Sequence, residues 1–283
     1  MALSVEQIKG RIRNLAKENK SDARVLLRIY MMERFLERVS QSRYRDNFVL
    51  KGGMLITSMI GVKMRSTMDI DASLQNITLD ENEVTVIVNE IIKIDLDDAI
   101  IFEIGDISNI MDEMEYPGIR VSLRAQLGKL AVPLKIDFST GDVITPRAIQ
   151  YSFALLLENR SIRLWSYNLE TILAEKLQTI LARGVLNTRM RDYYDIHLLL
   201  GVYGEKINSL VLHDAFIVTC SRRNTAKLSM QCKDILNLIT EDEHLKKLWS
   251  TYKMKYTYAS DIEYEDVLVS ILKLLDLILA YEK

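Results

Sequence analysis

The pattern of apolar residues changes class near residue 167, and this bounds the fold more tightly than anything else in the chain. Between Ile100 and Ser166, short β-rich runs follow one another closely: Ile100–Ile107, Gly118–Leu127, Val132–Ser139, Phe153–Leu157 and Ile162–Ser166, bounded mostly by Gly, Pro or Asp. Strands this crowded leave no room for crossover helices, so they pair as an antiparallel or mixed sheet rather than as repeated βαβ units. From Asn168 onward the spacing becomes helical, over Leu169–Ala182, Arg191–Leu200, Asn208–Arg222, Lys227–Ile239, a less regular stretch near Trp249, and Asp261–Tyr281. The expectation is an α+β protein with a mixed sheet followed by a C-terminal helical bundle.

Upstream, Val5–Glu18 and Ala23–Val39 carry apolar residues at three- and four-residue spacing, with Ser21 and Asp22 as candidate caps between them. They form an N-terminal helical arm. Phe48–Leu50 reads as an extended piece entering Gly52-Gly53, after which Met54–Ile60 resumes a helical pattern. Met68–Leu74 reads as a strand, and Asp80 caps a helix over Glu83–Ile94. The predicted division is an arm over 1–45, an α/β core over 46–167 and a helical domain over 168–283.

Composition excludes several classes. With 48% hydrophobic residues, 27% charged, 3 Pro and 11 Gly, the chain is that of a globular protein without long disordered tails. Cys220 and Cys232 are too far apart for a C-x-x-C motif, and His197, His213 and His244 lie at no metal-ligand spacing. The most apolar stretch, Val267–Ala280, is interrupted by Lys273 and Asp276 and is shorter than the roughly 20 residues a membrane span needs. With no apolar segment at Met1–Gly10, a cytoplasmic protein without membrane association is expected. Net charge is only −2, but residues 9–45 carry 11 Lys/Arg against 4 Asp/Glu, whereas residues 46–150 carry 9 against 17. The basic segment is either two solvated helix faces or a surface that tracks phosphates.

The chemistry concentrates in the acidic middle. On a strand, Asp69 and Asp71 project from the same face, and two carboxylates so placed repel each other unless a cation sits between them. Sixteen residues before Asp69, Gly53 closes the pair Gly52-Gly53 at the start of a helix, where backbone N–H groups can receive phosphate oxygens. Asp137 lies inside the apolar run Val132–Phe138 and there needs either a partner or a metal, unless it faces water at the strand end. In the following helical segment Lys176, Thr179 and Arg183 share one face, which suits a triphosphate or a solvated basic stripe. Asp195 is four residues from Arg191, so it either pairs across a helix turn or joins the site, while Asp192 points elsewhere. His197, Tyr193 and Tyr194 are expected to pack, and Arg222-Arg223 with Lys227 to add to a nucleic-acid-facing surface.

A Gly-Gly pair, a strand with Asp-x-Asp and a later strand with a third Asp resemble the nucleotidyltransferase superfamily, whose α/β core holds Mg²⁺. More closely, the segments Leu50–Ile56, Arg65–Asp71, Glu175–Arg183 and Arg189–Ile196 resemble, in order, the AbiEii/AbiGii-type toxin family of type IV toxin–antitoxin and abortive-infection systems. The likeness runs from about Val49 to Leu199. It implies a nucleotidyltransferase-like sheet and a Mg²⁺-dependent enzyme that takes an NTP as substrate and transfers a nucleotide from it. It further implies that Gly52 and Gly53 contact phosphates, Asp69 and Asp71 bind metal, Lys176 touches the triphosphate and Asp192 supports catalysis; Thr67 matches a hydroxyl position of the motif. Gly-Gly stands where the wider superfamily has Gly-Ser, and Met54 follows it, so backbone donors would have to hold the phosphate.

Relatives of this family add nucleotides to the 3′ end of tRNA, and the resemblance implies that acceptor, a role in phage defence, and a cognate antitoxin that forms no stable complex with the toxin. The alternatives are nucleotidyl transfer to a protein or small-molecule hydroxyl, or a non-catalytic module that only binds a nucleotide.

Overall fold

A computed structural model describes residues 3–110 and 118–281, so the first two residues of the expected arm and the last two of the expected helical domain lie outside the described residues. Two compact units result, the first comprising residues 1–142 and 149–166 and the second residues 143–148 and 167–283.

In the first unit, helices α1 (Val5–Asn19) and α2 (Ala23–Gln41) precede strand β1 (Phe48–Lys51), α3 (Gly52–Ile60), β2 (Ile70–Leu74) and α4 (Glu81–Ile92). Strands β3 (Ile100–Ile110), β4 (Gly118–Leu127), β5 (Leu130–Thr140), β6 (Ile149–Ala154) and β7 (Ser161–Ser166) complete it. Side-chain caps start α1, α2 and α4: Ser4 and Gln7 form a capping box on α1, and the carboxylates of Asp22 and Asp80 accept the N–H groups of Arg24 and Glu83. The seven strands form one mixed sheet in the order β3-β4-β5-β2-β1-β7-β6. β2 lies antiparallel to β1 and parallel to β5, and β1 lies parallel to β7. The sheet is therefore mixed, as the crowded strand signals imply.

Alternation divides the central strands into two faces. Leu50, Ala72 and Phe138 are register partners, as are Phe48 and Leu74, and all five are buried. Rings of Phe48 and Phe138 meet edge to face with centroids 6.1 Å apart. Residues between them in sequence, Lys51, Asp71, Ser73, Asp137 and Ser139, belong to the other face. That polar face carries the candidate site.

Helix α2 packs on β5 and β7 and brings charge into the core. Arg38 clasps Asp98 through two hydrogen bonds of 2.8 Å, and Arg34 pairs with Glu37 at 2.6 Å. Arg34 and Arg38 thus face inward as structural ion pairs, which removes them from the phosphate-tracking surface that the basic segment suggested. Glu33, also buried, accepts the Leu156 N–H, and burial pushes its carboxyl up to about 8.

The last strands sit differently from expectation. β6 covers Ile149–Ala154, not Phe153–Leu157, because Leu155 turns to bond the Arg160 carbonyl and Leu156 is held by Glu33. Leu155 and Leu157 are buried in the turn, and their apolar character imitates strand continuation.

The second unit is helical: α5 (Leu169–Arg183), α6 (Met190–Tyr203), α7 (Ser209–Arg222), α8 (Leu228–Glu241), α9 (Glu243–Lys255) and α10 (Tyr264–Leu279). α5 packs on α6, α7 and α8, and α10 on α6, α7 and α9. The irregular stretch near Trp249 is the regular helix α9, capped by Asp242. Its buried positions are only Leu245, Trp249 and Tyr252, a stripe too narrow to stand out among the lysines around it. Tyr193 and Tyr194 are fully buried in α6, and the His197 ring nitrogen meets Ser270 at 2.8 Å, so all three pack as expected. Among the described residues, no helix is long and apolar enough to cross a membrane.

Candidate active site

The site grows from the junction of β1 and α3. Gly52 adopts φ +63°, a left-handed conformation that favours glycine. It also lies directly under the Asp71 carboxylate, where a Cβ would come within 2.7 Å of the Asp71 Cβ. Both constraints demand glycine. Gly53 has a second reason: its N–H donates to Asp71 Oδ2 at 3.2 Å, and a Cβ there would stand 2.7 Å from the Arg65 guanidinium. Arg65, buried, donates to the Gly53 carbonyl at 2.9 Å and so fixes the turn from the other side.

Asp69 does not lie on the strand as expected. β2 begins at Ile70, and Asp69 occupies a bend just before it because the Thr67 hydroxyl donates to Asp69 Oδ1 at 2.9 Å. Thr67 is fully buried. Its hydroxyl orients Asp69 in this structure, and the Gly53 N–H likewise orients Asp71.

Asp137 stands directly opposite Asp71 on the parallel neighbour β5. The two pairings on either side extend this row: Lys51 on β1 is opposite Asp71, and Arg120 on β4 is opposite Asp137. Four adjacent strands therefore carry Lys51, Asp71, Asp137 and Arg120 on one line of the polar face. Arg120 grips Asp137 in a fork, Nε to Oδ1 at 2.8 Å and a terminal nitrogen to Oδ2 at 2.7 Å. Lys51 is buried and pairs at 3.1 Å with Asp142, whose carboxylate is shielded from solvent and also accepts the Ser139 hydroxyl. Burial, followed by the neighbouring Asp69, raises the Asp71 carboxyl to about 6 against the Gly53 N–H bond; Asp137 raises it further and Lys51 opposes. Negative charge is thus in excess around Asp71.

That excess is the test of whether a divalent cation fits. Asp69 and Asp71 offer hard oxygen donors held by neutral hydrogen bonds, which suits Mg²⁺. Asp137 is already satisfied by Arg120, and among the described residues no group of three or more His, Cys, Asp or Glu side chains is arranged to hold a metal. A pair of carboxylates fits the ion; the three-carboxylate site expected from Asp69, Asp71 and Asp137 is not assembled.

The second unit holds the other expected residues. Lys176 on α5 stands 2.6 Å from Asp192 and 2.8 Å from Asp195, both on α6, and Arg189 reaches Asp192 at 3.0 Å. Asp195, completely buried, is paired with Lys176, whereas the Arg191 guanidinium donates to the Tyr256 hydroxyl at 3.2 Å. The Thr179 hydroxyl donates to the Glu175 carbonyl and accepts from Arg223, and Arg183 is exposed at the end of α5.

Lys51, Arg65, Arg120 and Asp142 were not singled out by the sequence. For Arg120 a signal existed. Gly128-Lys129 makes a two-residue hairpin turn with Leu127 opposite Leu130, so counting back along both strands places Arg120 against Asp137. For Lys51 there was none, because β1 and β2 are joined through a helix and their register is not set by a tight turn.

A family model described as nucleotidyl transferase AbiEii toxin, type IV toxin–antitoxin system, matches residues 34–269. A comparison with curated proteins returns no match. Among solved structures, a candidate nucleotidyltransferase from H. pylori superposes with TM-score 0.54 at 17% identity, covering 90% of this chain and 94% of that one. JHP933 from Helicobacter pylori gives TM-score 0.52 at 18% identity over 90% of this chain and 91% of its own. At such identities the likeness speaks for a shared fold.

Proposed function

Since the chain belongs to the AbiEii nucleotidyl transferase toxin family of type IV toxin–antitoxin systems, we propose that it uses Asp69 and Asp71 to bind Mg²⁺ and transfers a nucleotide from an NTP to the 3′ end of tRNA. Family and fold support nucleotidyl transfer; metal, acceptor and residue roles are our reading. The observation that carries it is the pair Asp69 and Asp71, oriented by Thr67 and Gly53 at a turn that only glycine can make.

In this reaction the acceptor hydroxyl oxygen bonds to the α-phosphorus, the α–β bridge breaks, and pyrophosphate leaves. A bound Mg²⁺ would supply charge neutralisation at the phosphates. The protein's contribution is preorganisation: Thr67 and the Gly53 N–H hold the two carboxylates in place before substrate arrives, so little reorganisation remains. A carboxylate of the site receives the acceptor's proton. Lys176, with Thr179 and Arg183, is proposed to serve the triphosphate, and Asp192 to support catalysis. Because Lys176 is bracketed by Asp192 and Asp195, phosphate contact requires it to exchange one carboxylate for a phosphate oxygen.

Acting in the cytoplasm, such an enzyme would stop translation during phage infection, restrained by an antitoxin that does not remain bound. The test is incubation with total RNA, Mg²⁺ and each of the four α-labelled NTPs. Label on tRNA is expected, and Asp69→Ala should remove it. Label on protein or a small molecule would reassign the acceptor. NTP binding without Mg²⁺ and without turnover would overturn the enzymatic reading in favour of a nucleotide-binding module.

A further inference from the structure

The line of four residues across β4, β5, β2 and β1 has a cation at each end and two carboxylates between. Its ends differ. Lys51 is buried and paired to Asp142, a partner outside the line, whereas Arg120 spends both arms of its guanidinium on Asp137 and keeps 39% of its side chain exposed. The Arg120 charge also interacts with Asp69 and Asp71. It is the more exposed of the two ends of the row.

We infer that Arg120 is a positioning residue that latches Asp137 away from the cation, so that the divalent ion is bound by Asp69 and Asp71 alone and its affinity is set by a side chain two strands away from Asp71. This rests on the reading that Asp69 and Asp71 hold the ion. The physical argument is competition for one carboxylate. A bidentate guanidinium at 2.7 and 2.8 Å engages both oxygens of Asp137 in the geometry that arginine matches best. A metal that recruited Asp137 would have to share its oxygens with the guanidinium or displace it, and in either case would bring a guanidinium beside a divalent ion. Conversely, the exposed flank of Arg120 gives it a low-cost way out to solvent, so the latch can open where something negative draws the guanidinium off. A nucleotide phosphate has that chemistry. Arg120 then trades Asp137 for phosphate, and the freed carboxylate turns to the ion as substrate binds.

A double-mutant cycle with Mn²⁺ as probe, titrated calorimetrically without nucleotide, tests this. Arg120→Ala should bind Mn²⁺ on the order of tenfold more tightly than the parent chain, a change of the size that outer-shell partners impose on metal sites. Asp137→Asn should cost more in the Arg120→Ala background than in the parent, because only there is Asp137 a ligand. Arg120→Lys, which keeps the charge but not the fork, should fall between, and it carries the test if the alanine variant melts early. Equal cost of Asp137→Asn in both backgrounds, or unchanged Mn²⁺ affinity in both Arg120 variants, would overturn the latch. Asp71→Asn separates the two layers: loss of Mn²⁺ binding there together with an additive cycle rejects the latch alone, whereas undiminished binding rejects the cation site and the latch together.

Discussion

The charge clusters around Asp71 and around Lys176 are built on contrary principles. Around Asp71, carboxylates are oriented by neutral donors, the Gly53 N–H and the Thr67 hydroxyl, and their mutual repulsion is left standing. Around Lys176, one ammonium is enclosed by Asp192 and Asp195 at 2.6 and 2.8 Å, and Arg189 adds a second cation against Asp192. The first cluster is oriented but not neutralised. The second is close to neutral as it stands and contributes to holding α5 against α6. An identical residue type, aspartate, thus carries uncompensated charge in one unit and is a tether in the other.

The sharpest way to break this contrast is to remove one carboxylate from each cluster. Asp71→Asn should lower nucleotide transfer by at least ~10³-fold, the scale on which charge-stabilising groups act, while its thermal melt stays at or above that of the parent. Asp195→Ala should do the reverse in the fold, costing ~3–5 kcal/mol in urea titration because Lys176 loses a buried counter-charge. A melt of Asp71→Asn far below that of Asp195→Ala would erase the distinction.

Gly52→Ala should follow in size. The left-handed backbone costs about 1–2 kcal/mol for a residue with a Cβ, and the methyl group would push Asp71 from its place over the turn. Urea titration should show that loss together with weakened Mn²⁺ binding. Full stability with unchanged Mn²⁺ affinity would mean that the glycine does not shape the carboxylate pair.

Glu33 offers the smallest and most gradual effect, and an intermediate case: a buried carboxylate held by one backbone N–H, with Arg34 nearby. Its folded-state value of about 8 lies above the ordinary 4.5, so between these pH values the native state binds more protons than the unfolded one. Stability from this group is complete below the lower value and is lost as pH rises towards the upper, with a slope of at most about 1.4 kcal/mol per pH unit. Glu33→Gln should flatten the decline between pH 5 and 8, measured as the urea midpoint against pH. An unchanged slope would place the titration elsewhere.

What could be read from the residues follows from how local each feature is. The class boundary near residue 167, the caps Asp22 and Asp80, and the glycine turn before Asp69 and Asp71 are short-range patterns and are present in the structure. The bend at Asp69 was missed because it is made by a single hydroxyl, that of Thr67. The neighbourhood of Asp71 and Asp137 required the strand order β5-β2-β1, in which a late strand inserts beside an early one; no spacing in the sequence encodes that. Lys176 and Asp192 were legible as charged residues of two successive helical segments, but their pairing with each other, and that of Lys176 with Asp195, depends on how α5 meets α6.

The Gly128-Lys129 turn also sets a clock for the far end of its hairpin. Leu127 faces Leu130 across it, and every later rung is counted from that point until Arg120 arrives beside Asp137. With side chains alternating at each step, one residue added to that turn would move the count by one and send the guanidinium through to the opposite surface of the sheet. A loop seven rungs away therefore decides which cation the carboxylate meets as firmly as do the two residues that touch.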